Sequence, residues 1–186
     1  MDGLSVTELG DGELLLRPLG LDDVPRVTEI CQDPEISRWT RVPDSYTVDH
    51  ARTWIEHSAR AWDKDEASFA VTEVVTGRLV GAIGLHLQEH FAMQASIGYW
   101  VAKDARGRGV ATRALRLVAR WALEDLGLPR VQLVTDPDNL ASQRVAEKAG
   151  FRREGVLRQY VQRSGRRGDC VIFSLLPGEL DDGERG

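Results

Sequence analysis

The chain has 186 residues, 42% hydrophobic and 28% charged, the composition of one ordinary globular domain with length for a sizeable core. Its formal charge of −5 disfavours nucleic-acid binding through a generally basic surface. No apolar run approaches the roughly 20 residues that span a bilayer, so no membrane partner is expected. The first residues, Met1 to Glu8, lack the basic start and apolar core of a secretory leader. Cys31 and Cys170 lie far apart and read as small buried hydrophobes in a reducing cytoplasm, and the scattered histidines 50, 57, 86 and 90 have no zinc-ligand spacing. No metal is expected.

Residues 1–12 are polar and glycine-rich and read as a flexible lead-in; residues 13–177 read as the domain, and 178–186 as a flexible acidic tail. Leu14 to Pro18 is a short strand stopped by proline. Asp22-Asp23 open a helix with an apolar stripe at Val24, Val27, Ile30 and Cys31, and Asp33-Pro34 ends it. Glu35 to Ser45 has little periodicity and is expected to be an ordered loop. Thr47 caps a second helix, with Ala51, Trp54, Ile55 and Ser58 on one face. Two β-rich runs around Thr76-Gly77 predict a hairpin, and Gly81 and Gly84 in its second arm point to bends or close backbone approach. Ala95 to Val101 is a strand leading through Gly107-x-Gly109 into an amphipathic helix, Val110 to Leu126, stopped by Gly127-Leu-Pro129. Arg130 to Val134 is a strand and Asn139 to Ala149 a short helix closed by Gly150. Phe151 to Gln162 and Asp169 to Leu176 are strands joined through Ser164-Gly165. The order β, α, α, β, β, β, α, β, α, β, β predicts an α/β (α+β) fold: a mixed central sheet flanked by about four helices, without the regular alternation of a dinucleotide-binding domain.

A glycine loop between strand and helix leaves backbone N–H groups free at a helix N-terminus, where phosphate binds well. A Walker loop needs Lys-Ser/Thr after its last glycine, whereas Val110-Ala111 follow Gly109. The dinucleotide fingerprint needs a third glycine where Thr112 stands. The pattern Arg/Gln-x-x-Gly-x-Gly/Ala is met in full by Arg106-Gly107-Arg108-Gly109-Val110-Ala111.

This loop with Ile97-Gly-Tyr-Trp-Val101 before it, the block Asn139 to Phe151 running on to Arg158, and the softer Gly81 to Leu85 strand resemble the GNAT superfamily of acyl-CoA N-acyltransferases, in its RimJ/RimL-like branch. The resemblance implies a single GNAT-type domain with a splayed strand pair forming the acyl-CoA cleft. It implies that the amides around Arg108, Gly109, Ala111 and Thr112 hold the pyrophosphate of acetyl-CoA or another acyl-CoA, in a loop that also contains Arg106, Gly107 and Val110. Trp100 and Val101 would pair with the pantetheine arm, and the Val101 N–H would polarise the thioester carbonyl. Asn139 would hydrogen-bond the pantetheine or acyl end, besides being an N-cap. Ser142 would protonate the leaving thiolate, and Arg144 would reach the phosphates. The chemistry would be direct attack of a primary amine (a protein N-terminus, a lysine or a small amine) in a ternary complex. A homodimer is left open. Relatives in this branch often carry Glu before Ile-Gly-Tyr, where this chain has Ser96; Glu73, His86, Glu89 and His90 are then candidates for the base. The missing Glu keeps a non-catalytic acyl-CoA sensor open, and Arg38, Arg41 or Arg158 would suit an anionic donor such as succinyl-CoA.

Overall fold

The computed structural model describes residues 4–62, 64–88, 94–163 and 166–180. In chain order its elements are strands β1 (Leu9–Gly10) and β2 (Leu14–Pro18), helices α1 (Val24–Cys31), α2 (Pro34–Trp39) and α3 (Val48–Ala61), and strands β3 (Glu66–Glu73), β4 (Leu79–Gln88) and β5 (Gln94–Val101). Helix α4 (Val110–Arg120), strand β6 (Arg130–Thr135), helix α5 (Leu140–Lys148) and strands β7 (Arg152–Arg163) and β8 (Arg166–Leu175) follow. One mixed sheet contains all eight strands in the order β1-β2-β3-β4-β5-β6-β8-β7. Every pairing is antiparallel except β5 with β6.

Directly opposed residues in an antiparallel pair share a face, and successive residues alternate. Phe69, Ile83 and Tyr99 are opposed across β3, β4 and β5 and so share one face; Ala70, Ala82 and Trp100 share the other. Trp100 packs against Trp54 of α3, with ring centroids 6.2 Å apart, so α3 covers the second face. On the first face Phe69 meets Trp121, just past α4, edge-on at 5.6 Å, and Trp62 meets Phe69 at 4.9 Å. With both faces covered, Ala67 to Thr72 of β3 are buried without a break, the pattern of a central strand. Cys31 and Cys170 are free thiols in this interior, and burial pushes the Cys31 thiol up to about 12.

Two segments differ from the sequence-based expectation. Leu9–Gly10 pairs with Leu15–Leu16, and Leu4 is buried, so residues 4–12 are attached to the sheet edge instead of trailing from it. Within Glu35 to Ser45, expected to be loop, lies most of α2. Asp33-Pro34 both stops α1 and starts α2: the Asp33 carboxylate accepts from the Glu35 N–H at 3.0 Å, and Pro34 occupies a first-turn position where its missing N–H costs nothing. The long helix after the glycine loop also changes character. It is α-helical to Arg120 and then widens into a π turn, Trp121–Asp125, which Gly127 terminates at φ +64°.

Candidate active site

The sheet forks. β5 and β6 are parallel neighbours for three pairs only, Gln94↔Arg130, Ala95↔Val131 and Ser96↔Gln132, and then part. The Ala102 N–H donates to the Val80 carbonyl at 2.8 Å, which fixes the alternation along β5. Backbone groups of Trp100 and Gly98 therefore point to β4, while those of Tyr99 and Val101 point into the gap beyond the last β5–β6 pair. A fork of this kind offers an extended ligand a strand edge to pair with. Gly81 is required at its rim: a Cβ there would lie 2.7 Å from the Trp100 carbonyl oxygen, so the close backbone approach expected at this glycine is present.

Beyond Val101 a single 3₁₀ turn, Lys103–Ala105, leads to Gly107 and Gly109 at φ +75° and +80°. Both angles lie in the left-handed region that suits glycine. Gly109 is the N-cap of α4 and has no side chain to cap it, whereas α2, α3 and α5 start on Asp33, Thr47 and Asn139, whose side chains each accept a backbone N–H of the first turn. The amides of Val110, Ala111 and Thr112 precede the first intrahelical bond, Arg113 N–H to the Gly109 carbonyl at 3.0 Å. These donors, at the positive end of the helix dipole, make an anion cradle at the mouth of the fork.

Arg106 and Arg108 are engaged as staples of that loop. Arg106 pairs with Asp33 at 2.7 Å and donates through Nε to the Val101 carbonyl at 3.1 Å. Arg108 pairs with Glu73 at 2.8 Å, and Arg78 bridges to Asp104 at 2.7 Å. Glu73, a candidate base from sequence, serves the same lattice. The Thr76 hydroxyl first, then Arg108 and Arg78, hold its carboxyl below the usual carboxylate range, which makes it a weak proton acceptor.

The opposite wall is α5. Asn139 Oδ1 accepts the Ser142 N–H at 3.0 Å, so its N-cap role is realised. Ser142 Oγ lies 3.0 Å from Tyr99 Oη, a bond that closes the gap between β5 and α5. Tyr99 was not singled out by sequence. Burial raises its phenol pKa, so it stays protonated and can donate. Arg144, two residues on from Ser142 and so about 200° around α5 from it, is exposed. His86 pairs with Glu66, Nδ1 to Oε2 at 3.4 Å. The remaining candidate bases, Glu89 and His90, lie outside the described residues. Among the described residues no group of three or more His, Cys, Asp or Glu could hold a metal ion, and no helix is long and apolar enough to cross a membrane.

Known proteins share this fold. Residues 13–152 match the family model for the acetyltransferase (GNAT) domain. YjcK of Bacillus subtilis, provisionally named an N-acetyltransferase, is 37% identical over 138 residues, 73% of this chain and 76% of that protein. YdaF of the same species, provisionally named a ribosomal N-acetyltransferase, is 30% identical over 90% of this chain and 93% of its own. The structure of Mycobacterium smegmatis RimJ in complex with CoA-disulfide superposes with a TM-score of 0.85 at 22% identity, covering 97% of this chain and 92% of that one, a likeness of fold. The forked sheet, the glycine cradle and these relatives agree: the chain belongs to the GNAT family of acetyltransferases, enzymes that pass an acyl group from acyl-coenzyme A to an amine.

Proposed function

We propose that this enzyme acetylates the primary amine of a cationic acceptor in the cytoplasm, a protein N-terminus before a lysine or a small amine. The observation that carries the donor side is the fork of β5 and β6 beside the uncapped start of α4. An acyl-CoA lies with its diphosphate on the amides of Val110, Ala111 and Thr112 and its arm along Tyr99 to Val101. Asn139 and Arg144 border the same ligand from α5. The Val101 N–H holds the arm, and the Tyr99 N–H, about 7 Å deeper in the fork, polarises the thioester carbonyl; removing such a donor costs roughly 10²–10³ in rate in other enzymes.

The neutral amine adds to the carbonyl carbon, the oxyanion collapses, and the C–S bond breaks. Ser142, backed by the Tyr99 phenol, supplies the proton to the thiolate. Holding both reactants in one cleft is worth up to about 7–11 kcal/mol of barrier by effective-molarity arguments. The net charge of −5 favours a cationic acceptor, and the name of the YdaF relative supports a protein one. The test is release of free coenzyme A thiol from acetyl-CoA, and in parallel from succinyl-CoA, with three amines: a short peptide with a free α-amine, Nα-acetyl-lysine amide, and spermidine. The peptide should turn over fastest with acetyl-CoA. Tight acetyl-CoA binding with no turnover above hydrolysis on any amine would make the protein a sensor.

A further inference from the structure

We propose that His86 is the general base of this enzyme and that Glu66 is its positioning residue. The proposal rests on the transferase reading above and adds the proton acceptor to it.

An acyl group drawn into the gap with its thioester at Tyr99 points toward the vertex, the Ser96↔Gln132 pair. Across the sheet from Ser96, on the face covered by α3, stand His86 and then Glu66, each directly opposed to the next. The adjoining row on the same face is Ser68, Gly84 and Gly98, and the row beyond it is Ala70, Ala82 and Trp100. The middle row carries no side chain longer than serine. Gly98 is exposed, and a Cβ built on it would meet nothing within 4 Å. This leaves a hollow beside the vertex, bordered by Trp100 with its partner Trp54 above and by His86 below.

His86 is oriented for use there. Its Nδ1 faces Glu66 Oε2 at 3.4 Å, while Nε2 leans over Gly84, 3.5 Å from where a Cβ of that residue would sit. The Glu66 carboxylate is itself fixed by the Ser68 hydroxyl at 3.0 Å, and His57 of α3 approaches it at 3.9 Å. His86, first among its neighbours, keeps that carboxyl below the usual range and hence charged. A carboxylate on one ring nitrogen fixes the tautomer and leaves the other nitrogen free to accept a proton. Among the described residues, the charged or titratable groups facing the imidazole are thus Glu66 from β3 and, behind it, His57 from α3; β5 contributes the neutral Ser96. An acceptor ammonium in the hollow gives one proton to Nε2, directly or through one water, and its freed lone pair forms the C–N bond. The nitrogen passes its second proton to water as the C–S bond breaks, and Ser142, which gives its own proton to sulfur, takes one back from solvent through Tyr99. His86 then returns its proton to solvent through its exposed edge.

The experiment is the pH dependence of kcat/KM for thiol release from acetyl-CoA with the fastest of the three amines above, alongside calorimetric binding of acetyl-CoA. Wild type should show an activity limb set by a single deprotonation. His86→Gln should lower kcat/KM about 10²-fold, abolish that limb, and leave acetyl-CoA affinity unchanged. Glu66→Ala should lower kcat without changing KM for acetyl-CoA, and Glu66→Gln, which keeps an acceptor for Nδ1, should recover part of it. A His86→Gln enzyme with wild-type rate and pH profile overturns the assignment while leaving the transferase reading intact. A wild type that binds acetyl-CoA but acylates none of the amines overturns both.

Discussion

The two helices that flank the fork begin in opposite ways. Helix α5 caps itself: Asn139 accepts the Ser142 amide, which fixes the first turn so that it presents the Ser142 hydroxyl to Tyr99. Helix α4 begins on Gly109 in the left-handed region with no side chain at all, and its first amides are left for an external anion. The same unit of structure is thus a finished support on one wall and an open binding site on the other. The difference rests on a single residue type at the N-cap.

The sharpest way to break that contrast is to fill the open start. Gly109→Glu places a carboxylate where the diphosphate would sit and should abolish measurable acetyl-CoA binding by calorimetry, a loss of at least about 10²-fold. Gly109→Ala separates charge from backbone strain, since it adds only the left-handed penalty of about 1–2 kcal/mol. Should the glutamate variant bind acetyl-CoA as wild type does, the pyrophosphate assignment is wrong.

On the finished wall, Tyr99→Phe removes the phenol that holds Ser142. It should lower kcat about tenfold with acetyl-CoA affinity retained, because only the leaving thiolate depends on the pair. An unchanged kcat would assign the bond to architecture alone. Asn139→Ala should cost about 1 kcal/mol through loss of the cap, seen as a fall in Tm of about 2–4 °C. A loss of acetyl-CoA affinity larger than that stability change would add a direct ligand contact to the capping role.

Much of this contrast was legible in the sequence because it is local. Gly107-x-Gly109 before an apolar stripe, and Asn139 three residues before Ser142, are short-range patterns whose geometry follows from helix and turn chemistry. The double role of Asp33-Pro34 was not, since the same dipeptide ends one helix and starts the next, and only the Glu35 amide decides between them. Tyr99 stood in plain view, but its partner lies 43 residues on, brought over by the crossover to α5. The Glu66–His86 pair was hidden by a bulge. Counting outward from Thr72↔Leu79 next to the turn sets Glu66 opposite Leu85, on the wrong face. The irregularity between Val71 and Thr72 shifts the register by one and sets it opposite His86.

The smallest expected effect concerns what the α5 wall stands on. β6 starts with Arg130, which sits at the first β5–β6 pair and grips Glu154 of β7 through two bonds, at 2.7 and 2.6 Å. The Ser174 hydroxyl adds a third bond at 2.6 Å. Arg130 first, then Ser174, lower the Glu154 carboxyl from the ordinary 4.5 to about 2. A depressed carboxylate pKa stabilises the fold above the unfolded value and ceases to do so as pH falls through the folded one. The contribution should therefore be complete above about pH 5, decline from 4.5 downward, and vanish near 2. Asp11, Asp23 and Glu66 are lowered in the same direction, so the whole protein weakens in acid regardless. Glu154→Gln isolates the one group: its Tm should fall below wild type at pH 7 and converge with it toward pH 2. The α4 wall, tied by Arg113 to Asp11 and Glu13, does not pass through this residue. Near neutral pH the variant should accordingly bind the diphosphate end of acetyl-CoA as wild type does. Equal weakening of both walls would mean that the fork responds as one body and that their separate foundations have no functional consequence.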